Sequence, residues 1–171
     1  GPMHSLKPIT ASGIAGALEK AERYRLLNDA TAAESICLDV LALQPDHQPA
    51  LIMLLLARTD QFAHGMAATS VARAREVLPR IADEYKRAYY GGIICERRAK
   101  AQLRAGGPGA AQVAWEWFQE AFEHYTEADK IRPAGNDEVV LRWNTCVRIL
   151  QDHPEIGPAD TGKPQMAQLG E

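Results

Sequence analysis

Hydrophobic residues recur at helical spacing along most of the chain. Between Gly13 and Leu27 they fall at every third or fourth position, which places them on one face of an α-helix. The same spacing continues from Ser35 to Ala57, in SICLDVLALQPDHQPALIMLLLA, where only Gln44-Pro45-Asp46-His47 interrupts it. The sequence shows no sustained alternation of apolar and polar residues and no Asn-Gly or Asp-Gly hairpin turn. The pattern therefore predicts an all-α protein.

Turn and capping residues divide the first half of this pattern into helices. Asn28-Asp29 ends the first helix, and Thr31-Ala32-Ala33-Glu34 fits a capping box at the start of the second. The second helix is expected to end by Gln44, because the residue before Pro45 is disfavoured in the helical region. Asp46 is expected to cap the third helix.

The second half is predicted to contain longer helices. Helix-compatible sequence runs from about Ile81 to Ala105 and again from about Ala110 to Ile131. Between them lies Gly106-Gly107-Pro108-Gly109, which we interpret as a loop, since no phosphate-binding glycine motif accompanies it. A last helix is expected from Glu138 to Leu150.

Part of the chain repeats itself. Two small residues, a medium apolar one and a proline recur in one register 34 residues apart: Ala33, Cys37, Val40 and Pro45, then Ala67, Val71, Ala74 and Pro79. A period of this length, built from two helices, is typical of an α-solenoid. In such a fold the small residues lie where paired helices touch, so Ala33, Ala67 and Ala121 are expected at helix contacts.

Because small, apolar and proline residues recur in this order, the sequence resembles the tetratricopeptide repeat (TPR) family over about residues 12–150. The first unit supplies the family's aromatic, turn, small, bulky and closing positions as Tyr24, Asn28, Ala33, Cys37, Val40 and Pro45. The second keeps Leu51, Leu54, Ala67, Val71, Ala74 and Pro79, but has Arg58 in place of the aromatic. A third closing half appears as Ala121, Tyr125, Ala128 and Pro133.

The resemblance implies a TPR-like α-solenoid of antiparallel helix pairs, with about three repeats and a C-terminal capping helix. Because Pro79 and Pro133 are 54 residues apart, the third pair is expected to be elongated by about ten residues per helix. Gly1-Pro2 is interpreted as the scar of a cleaved expression tag and residues 3–11 as a flexible N-terminus. Residues 12–151 are expected to form the helical domain, and residues 152–171 a flexible C-terminal tail.

Composition excludes some functional classes. The net charge of −3 is no sign of nucleic acid binding, and no apolar run is long enough to span a bilayer. The N-terminus lacks the pattern of a secretory signal. The three widely spaced cysteines, Cys37, Cys95 and Cys146, are expected to be buried free thiols, which favours a cytoplasmic location.

Catalytic and metal-binding patterns are not found in the sequence. Glu120 and His124 lie one helical turn apart, but without a second such pair we interpret them as a surface ion pair rather than a metal site. No catalytic triad follows from the spacings. We therefore expect no enzyme activity, no cofactor and no metal.

Two partner-binding surfaces are predicted instead. The TPR resemblance implies a concave groove lined by the first helix of each pair, which here presents Glu22, Arg25, Leu56, Thr59, Asp60, Lys86, Tyr90, Asn144 and Arg148. The residues of the TPR subfamily that clamps a C-terminal carboxylate are replaced here, so that ligand is rejected. Residues 70–105 carry nine basic and four acidic side chains. A second surface, separate from the groove and suited to acidic partners, is therefore predicted at the hairpin tip: Arg97, Arg98, Lys100, Arg104 and Trp117.

The sequence therefore predicts a non-enzymatic protein–protein interaction module, an adaptor or scaffold that binds a peptide or protein, with acidic partners favoured and neither nucleic acid nor membrane expected. One alternative is a small helical enzyme or ligand-binding protein with a pocket between the third pair and the last helix, lined by Arg97, Arg98, Trp143 and Arg148. A second alternative is a self-associating structural protein, because an uncapped solenoid end exposes apolar surface.

Overall fold

The fold is known from a computed structural model that describes residues 3–63 and 67–159, with the side chains of Ala67 and Ala68 also left out. Within those ranges it contains no strand, which confirms the all-α prediction. Seven α-helices follow one another: α1 (Ile14–Leu26), α2 (Ala30–Leu43), α3 (Gln48–Thr59), α4 (Ala67–Arg75), α5 (Glu84–Ala105), α6 (Ala110–Ile131) and α7 (Glu138–Asp152). Two short 3-10 turns lie at Ala11–Gly13 and Leu78–Arg80.

Two predicted caps are wrong. Asp29, not Thr31, precedes α2, and its carboxylate accepts a hydrogen bond from the Ala32 amide at 3.1 Å. His47, not Asp46, caps α3, where its ring nitrogen accepts from the Ala50 amide at 3.2 Å. In both cases the side chain of a residue near the predicted cap accepts the hydrogen bond from an amide in the first turn of the helix.

Glu34, which the sequence assigned to a capping box, is instead a buried acceptor between three helices. The guanidinium Nε of Arg58 donates to it at 2.9 Å, Gln61 donates at 2.9 Å, and Arg73 forms an ion pair with it. Arg58 also donates to the Arg73 carbonyl oxygen at 2.8 Å. Arg58 therefore ties α2, α3 and α4 together through hydrogen bonds at the position where a TPR unit would place an aromatic ring.

Helices α5 and α6 are long, 22 residues each, and pack closely against each other. Residues early in α5 contact residues late in α6, as the antiparallel prediction requires. Gly91 and Gly92 permit the approach: a Cβ on Gly91 would lie 2.9 Å from the His124 ring, and one on Gly92 would overlap the ring of Tyr125. The glycine loop between the helices is confirmed, with positive φ at Gly106, Gly107 and Gly109.

Two hydrophobic cores hold the fold together. The first lies among α1–α4 and one side of α5, and the second joins α5, α6 and α7. Ala33 and Ala121 are fully buried in them, as expected of helix contacts, whereas the side chain of Ala67 lies outside the described residues. Ile156, in the stretch predicted to be a flexible tail, is buried in the second core, so packing extends beyond α7. The remaining predicted tail, residues 160–171, is outside the described residues.

Smaller differences concern element ends. α4 ends at Arg75, and Pro79 lies in the 3-10 turn that follows rather than closing the helix itself. α5 begins at Glu84 instead of Ile81, because Asp83 caps it by accepting from the Tyr85 amide at 3.0 Å. Among the described residues no helix is long and apolar enough to cross a membrane.

Candidate binding site

A concave cavity of about 770 Å³ lies between the first half of the chain and α5, and we call it the basin. The end of α1, the turn before α2, the end of α3, one side of α5 and a single residue of α7 bound it. Five basic side chains line it: Arg25, Arg97, Lys100, Arg104 and Arg142. Three acidic ones accompany them, Asp29, Asp60 and Glu96, so the lining has an excess of positive charge.

Helix α5 supplies the longest wall of the basin. Its lining residues include Tyr89, Ile93, Arg97, Lys100 and Arg104, spaced by three or four positions. Residues so spaced share one face of a helix. These residues therefore form a continuous strip along α5. The strip is about 22 Å long from Tyr89 to Arg104, because a helix rises by roughly 1.5 Å per residue.

Asp60, at the end of α3, connects two arginines across the basin. Arg25 donates to both carboxylate oxygens, from Nε at 2.6 Å and from Nη2 at 3.1 Å. Arg97 donates from Nη1 at 2.7 Å. The Asp60 side chain is 21% exposed and that of Arg97 37%, so this bridge is in contact with solvent.

Glu96, the neighbour of Arg97 on α5, is much more deeply buried than Asp60. Its side chain is 1% exposed, and it accepts from Lys100 Nζ at 2.6 Å, from the Tyr125 hydroxyl at 2.7 Å and from Arg142 Nε at 3.2 Å. Burial alone would raise the pKa of this carboxyl. Hydrogen bonds from Arg142 and Lys100, together with their charges, outweigh burial and lower the pKa to about 2.

The basin also contains neutral phenols. Burial raises the pKa of Tyr90, and the nearby Glu138 carboxylate adds to the effect. Burial likewise raises the pKa of Tyr89, whose ring meets that of Tyr90 edge-on at 5.0 Å between centroids. Both tyrosines therefore remain protonated at neutral pH and present apolar rings with a hydroxyl donor.

The structure merges the two surfaces that the sequence predicted as separate. Arg25, Thr59, Asp60 and Tyr90 of the predicted groove line the same basin as Arg97, Lys100 and Arg104 of the predicted tip. These cations of the predicted tip lie on the side of α5 that faces α1 and α3, and not on a surface of their own. The other predicted residues do not line the basin: Glu22, Lys86, Asn144, Arg148, Arg98 and Trp117.

Trp117, which the sequence predicts as an exposed contact residue, is partly buried. Its ring packs against both cores, and the Arg75 guanidinium carbon lies 5.3 Å from the ring centroid. Arg75 also forms an ion pair with Glu120 at 2.7 Å, and the Cys95 thiol donates to Glu120 at 3.1 Å. The predicted Glu120–His124 ion pair is therefore replaced by an Arg75–Glu120 pair, and the His124 ring lies against Gly91 instead.

The alternative pocket between the third pair and α7 is not assembled from the residues proposed for it. Arg97 lines the basin, while Trp143 lines a separate cleft of about 220 Å³ between α6 and α7. Arg98 and Arg148 line neither. Arg98 instead donates to Gln102 on its own helix at 2.8 Å.

Sequence reasoning missed Glu96 and Arg142 as members of the site. The spacing of Glu96 and Lys100, four residues apart on a helix, was a visible signal of an ion pair. Arg142 gave no such signal, since it comes from α7, 46 residues further along the chain.

The cysteine prediction is confirmed: Cys37, Cys95 and Cys146 are buried and free. Burial raises the pKa of Cys37 to about 12 and, together with the hydrogen bond to Glu120, that of Cys95 to about 12, which keeps both thiols protonated.

Over the part of the chain that the structure describes, no three His, Cys, Asp or Glu side chains are grouped as metal ligands. The chemistry that the basin offers is therefore charge pairing and hydrogen bonding by cations and phenols.

Comparisons with models of protein families, with curated proteins and with solved structures find no match to this chain.

Proposed function

We propose that this protein is a non-enzymatic interaction module that binds an acidic segment of a partner protein in the basin. The observation that carries the proposal is the excess of basic side chains on one concave surface. Arg97, Lys100 and Arg104 follow one another along α5, and charge-assisted hydrogen bonds from such groups to carboxylates are among the strongest polar contacts in proteins.

Internal ion pairs do not use up this charge. Lys100 and Arg142 share Glu96, and Arg25 and Arg97 share Asp60, so each carboxylate meets two cations. Arg104 is exposed, and within residues 3–63 and 67–159 it has no ion-pair partner. An anionic ligand therefore meets one free guanidinium and others that can share their donors.

The shape of the basin favours a protein segment over a compact small molecule. Pockets for small molecules are mostly apolar, with a few polar groups, whereas charged and polar side chains together form most of the lining here. The strip on α5 is also about as long as seven extended residues, at roughly 3.3 Å per residue. A short stretch of extended peptide would fill it.

The TPR resemblance is part of the same proposal. We propose that α1–α2 and α3–α4 are two TPR-like pairs, that α5–α6 is an elongated third pair, and that α7 caps the stack. The shared register of Pro45 and Pro79 supports this arrangement, as does the full burial of Ala33 and Ala121. An experimental structure in which successive pairs did not stack in one direction would refute it.

The binding proposal is tested with a fluorescein-labelled peptide of about eight residues, rich in Glu, against the same peptide with Gln in place of Glu. Fluorescence anisotropy is expected to show binding of the Glu peptide only, weakening as salt is raised. Arg104→Glu should weaken binding by about tenfold or more, since it reverses an unpaired charge in the basin.

Arg98→Glu is the matched control. It makes the same charge change on the same helix, six residues away, at a side chain that does not line the basin. Circular dichroism establishes that both variants are folded. Equal losses in the two variants would mean that only net charge matters and that the basin is not the site, and failure of the Glu peptide to bind at any salt concentration would refute an acidic ligand.

A further inference from the structure

The strip of α5 that lines the basin changes character along its length. Its first part contains the buried Tyr89 and Ile93 and the partly exposed Tyr90, and the partly exposed Leu56 of α3 also lines the basin. Its second part presents Arg97, Lys100 and Arg104. The change from apolar to cationic surface occurs within about one helical turn, between Ile93 and Arg97.

The first part can accept an apolar side chain. Leu56 and Tyr90 each pack against both hydrophobic cores, so their positions are fixed by the fold, yet both remain partly exposed in the basin. Burial keeps the pKa of Tyr90 raised, so its ring carries no charge. Removing such a surface from water favours binding in proportion to the apolar area covered.

The separation of the two parts sets a length. From Ile93 to Lys100 the helix rises by about 10 Å, and from Tyr90 to Arg104 by about 21 Å, at roughly 1.5 Å per residue. An extended peptide advances by about 3.3 Å per residue. The two parts are therefore bridged by about three to six residues of extended chain.

We propose that the partner segment is bipartite: apolar side chains bind at Leu56 and Tyr90, above the buried Ile93, and acidic side chains bind at Lys100 and Arg104, about three to six residues away. The proposal rests on the proposed function, because it assumes that an acidic segment occupies the basin. It adds an apolar contact and a defined spacing, which a purely electrostatic site would not require.

Three labelled synthetic peptides test the spacing on the unmodified protein. The first has two Leu residues, a Gly-Ser spacer of about four residues and three acidic residues. The second replaces both Leu residues by Ser, and the third omits the spacer. The first peptide is expected to bind about tenfold more tightly than either of the others.

A variant of the apolar part supplies the protein-side test. In Tyr90→Ala, the advantage of the Leu peptide over the Ser peptide should shrink, while the preference for acidic residues over their Gln counterparts should remain. Arg104→Glu should show the opposite pattern. If Tyr90→Ala does not fold, the spacer series alone decides the matter.

The outcomes separate the two proposals. Equal binding of all three peptides, lost in Arg104→Glu, would overturn the bipartite segment and leave the acidic site standing. Tighter binding of the spacerless peptide would also overturn the spacing. If none of the peptides binds, the proposed function itself fails.

Discussion

Asp60 and Glu96 line the same basin, and α5 supplies cations to both, yet the two carboxylates differ in almost every other respect. Asp60 is 21% exposed, and its two partners are arginines on α1 and α5. Glu96 is 1% exposed, and its three partners belong to α5, α6 and α7. Solvent can replace the partners of the first but not those of the second.

This difference separates a structural ion cluster from an exchangeable one. A buried carboxylate with three donors fixes the helices that carry them, because removing it leaves the buried Tyr125 hydroxyl and two partly buried cations without their acceptor. An exposed ion pair contributes little to stability, since water solvates both partners after separation. The Glu96 cluster therefore holds α7 against the α5–α6 pair, whereas the Asp60 bridge joins side chains of α1 and α5 at a surface that water reaches.

The largest expected effect is the loss of stability in Glu96→Gln. The amide cannot neutralise Arg142 and Lys100, so the free energy of unfolding should fall by about 3–5 kcal/mol, the usual cost of breaking a buried ion pair. Asp60→Asn is the matched change and should cost less, because water reaches the partly exposed Asp60 carboxylate. Urea denaturation of the two variants measures both values, and similar losses would erase the distinction.

Acid should reveal the same cluster in the wild-type chain. The Glu96 pKa is lowered from its ordinary value of 4.5 to about 2 in the folded protein, so the contribution of this carboxylate to stability is present above pH about 4.5. It is lost as the pH falls from about 4.5 towards 2, by up to roughly 3 kcal/mol. Urea denaturation as a function of pH measures this loss, and Glu96→Gln should be less sensitive to pH in that interval. An unchanged acid dependence in the variant would assign the effect to other carboxylates.

Gly92→Ala tests the cluster from the opposite side. The added methyl group would overlap the ring of Tyr125, whose hydroxyl donates to Glu96. The expected loss is about 1–3 kcal/mol in the free energy of unfolding, despite the better helix propensity of Ala. Gly91→Ala is the control, since it meets the partly exposed His124, which can move aside. A variant of Gly92 that melted no lower than that of Gly91 would contradict the close packing.

The smallest effect has the opposite sign. Asp60→Asn removes the negative charge that Arg25 and Arg97 share, so binding of an acidic peptide should tighten by about threefold to tenfold. Fluorescence anisotropy with the Glu-rich peptide measures the change. Weaker binding in Asp60→Asn would show that Asp60 positions Arg97 for the ligand and does not compete with it.

The sequence predicted the long helices well. The glycines between the two helices predicted that α5 ends at Ala105 and that α6 begins at Ala110. These glycines have positive φ values, which other residues adopt only with strain. The helix caps were predicted less well, because Asp29 and Thr31, or Asp46 and His47, are neighbouring candidates whose choice depends on small differences in backbone geometry.

The candidate site was predicted only in part, for a physical reason. Periodicity shows that Arg97, Lys100 and Arg104 share a helix face, but it does not reveal which neighbour that face meets. The orientation of α5 depends on contacts between residues that are far apart in sequence. One such contact joins Arg97 to Asp60, 37 positions earlier. The same holds for Trp117, whose burial depends on Arg75 of α4.

The basin brings together Arg25 of α1 and Arg142 of α7, which are roughly 120 residues apart. At synthesis rates of about 5–20 residues per second, the ribosome adds the second on the order of ten seconds after the first. During that interval Glu96 lacks Arg142, one of its three donors. The Glu96 cluster is therefore completed only once α7 has been made.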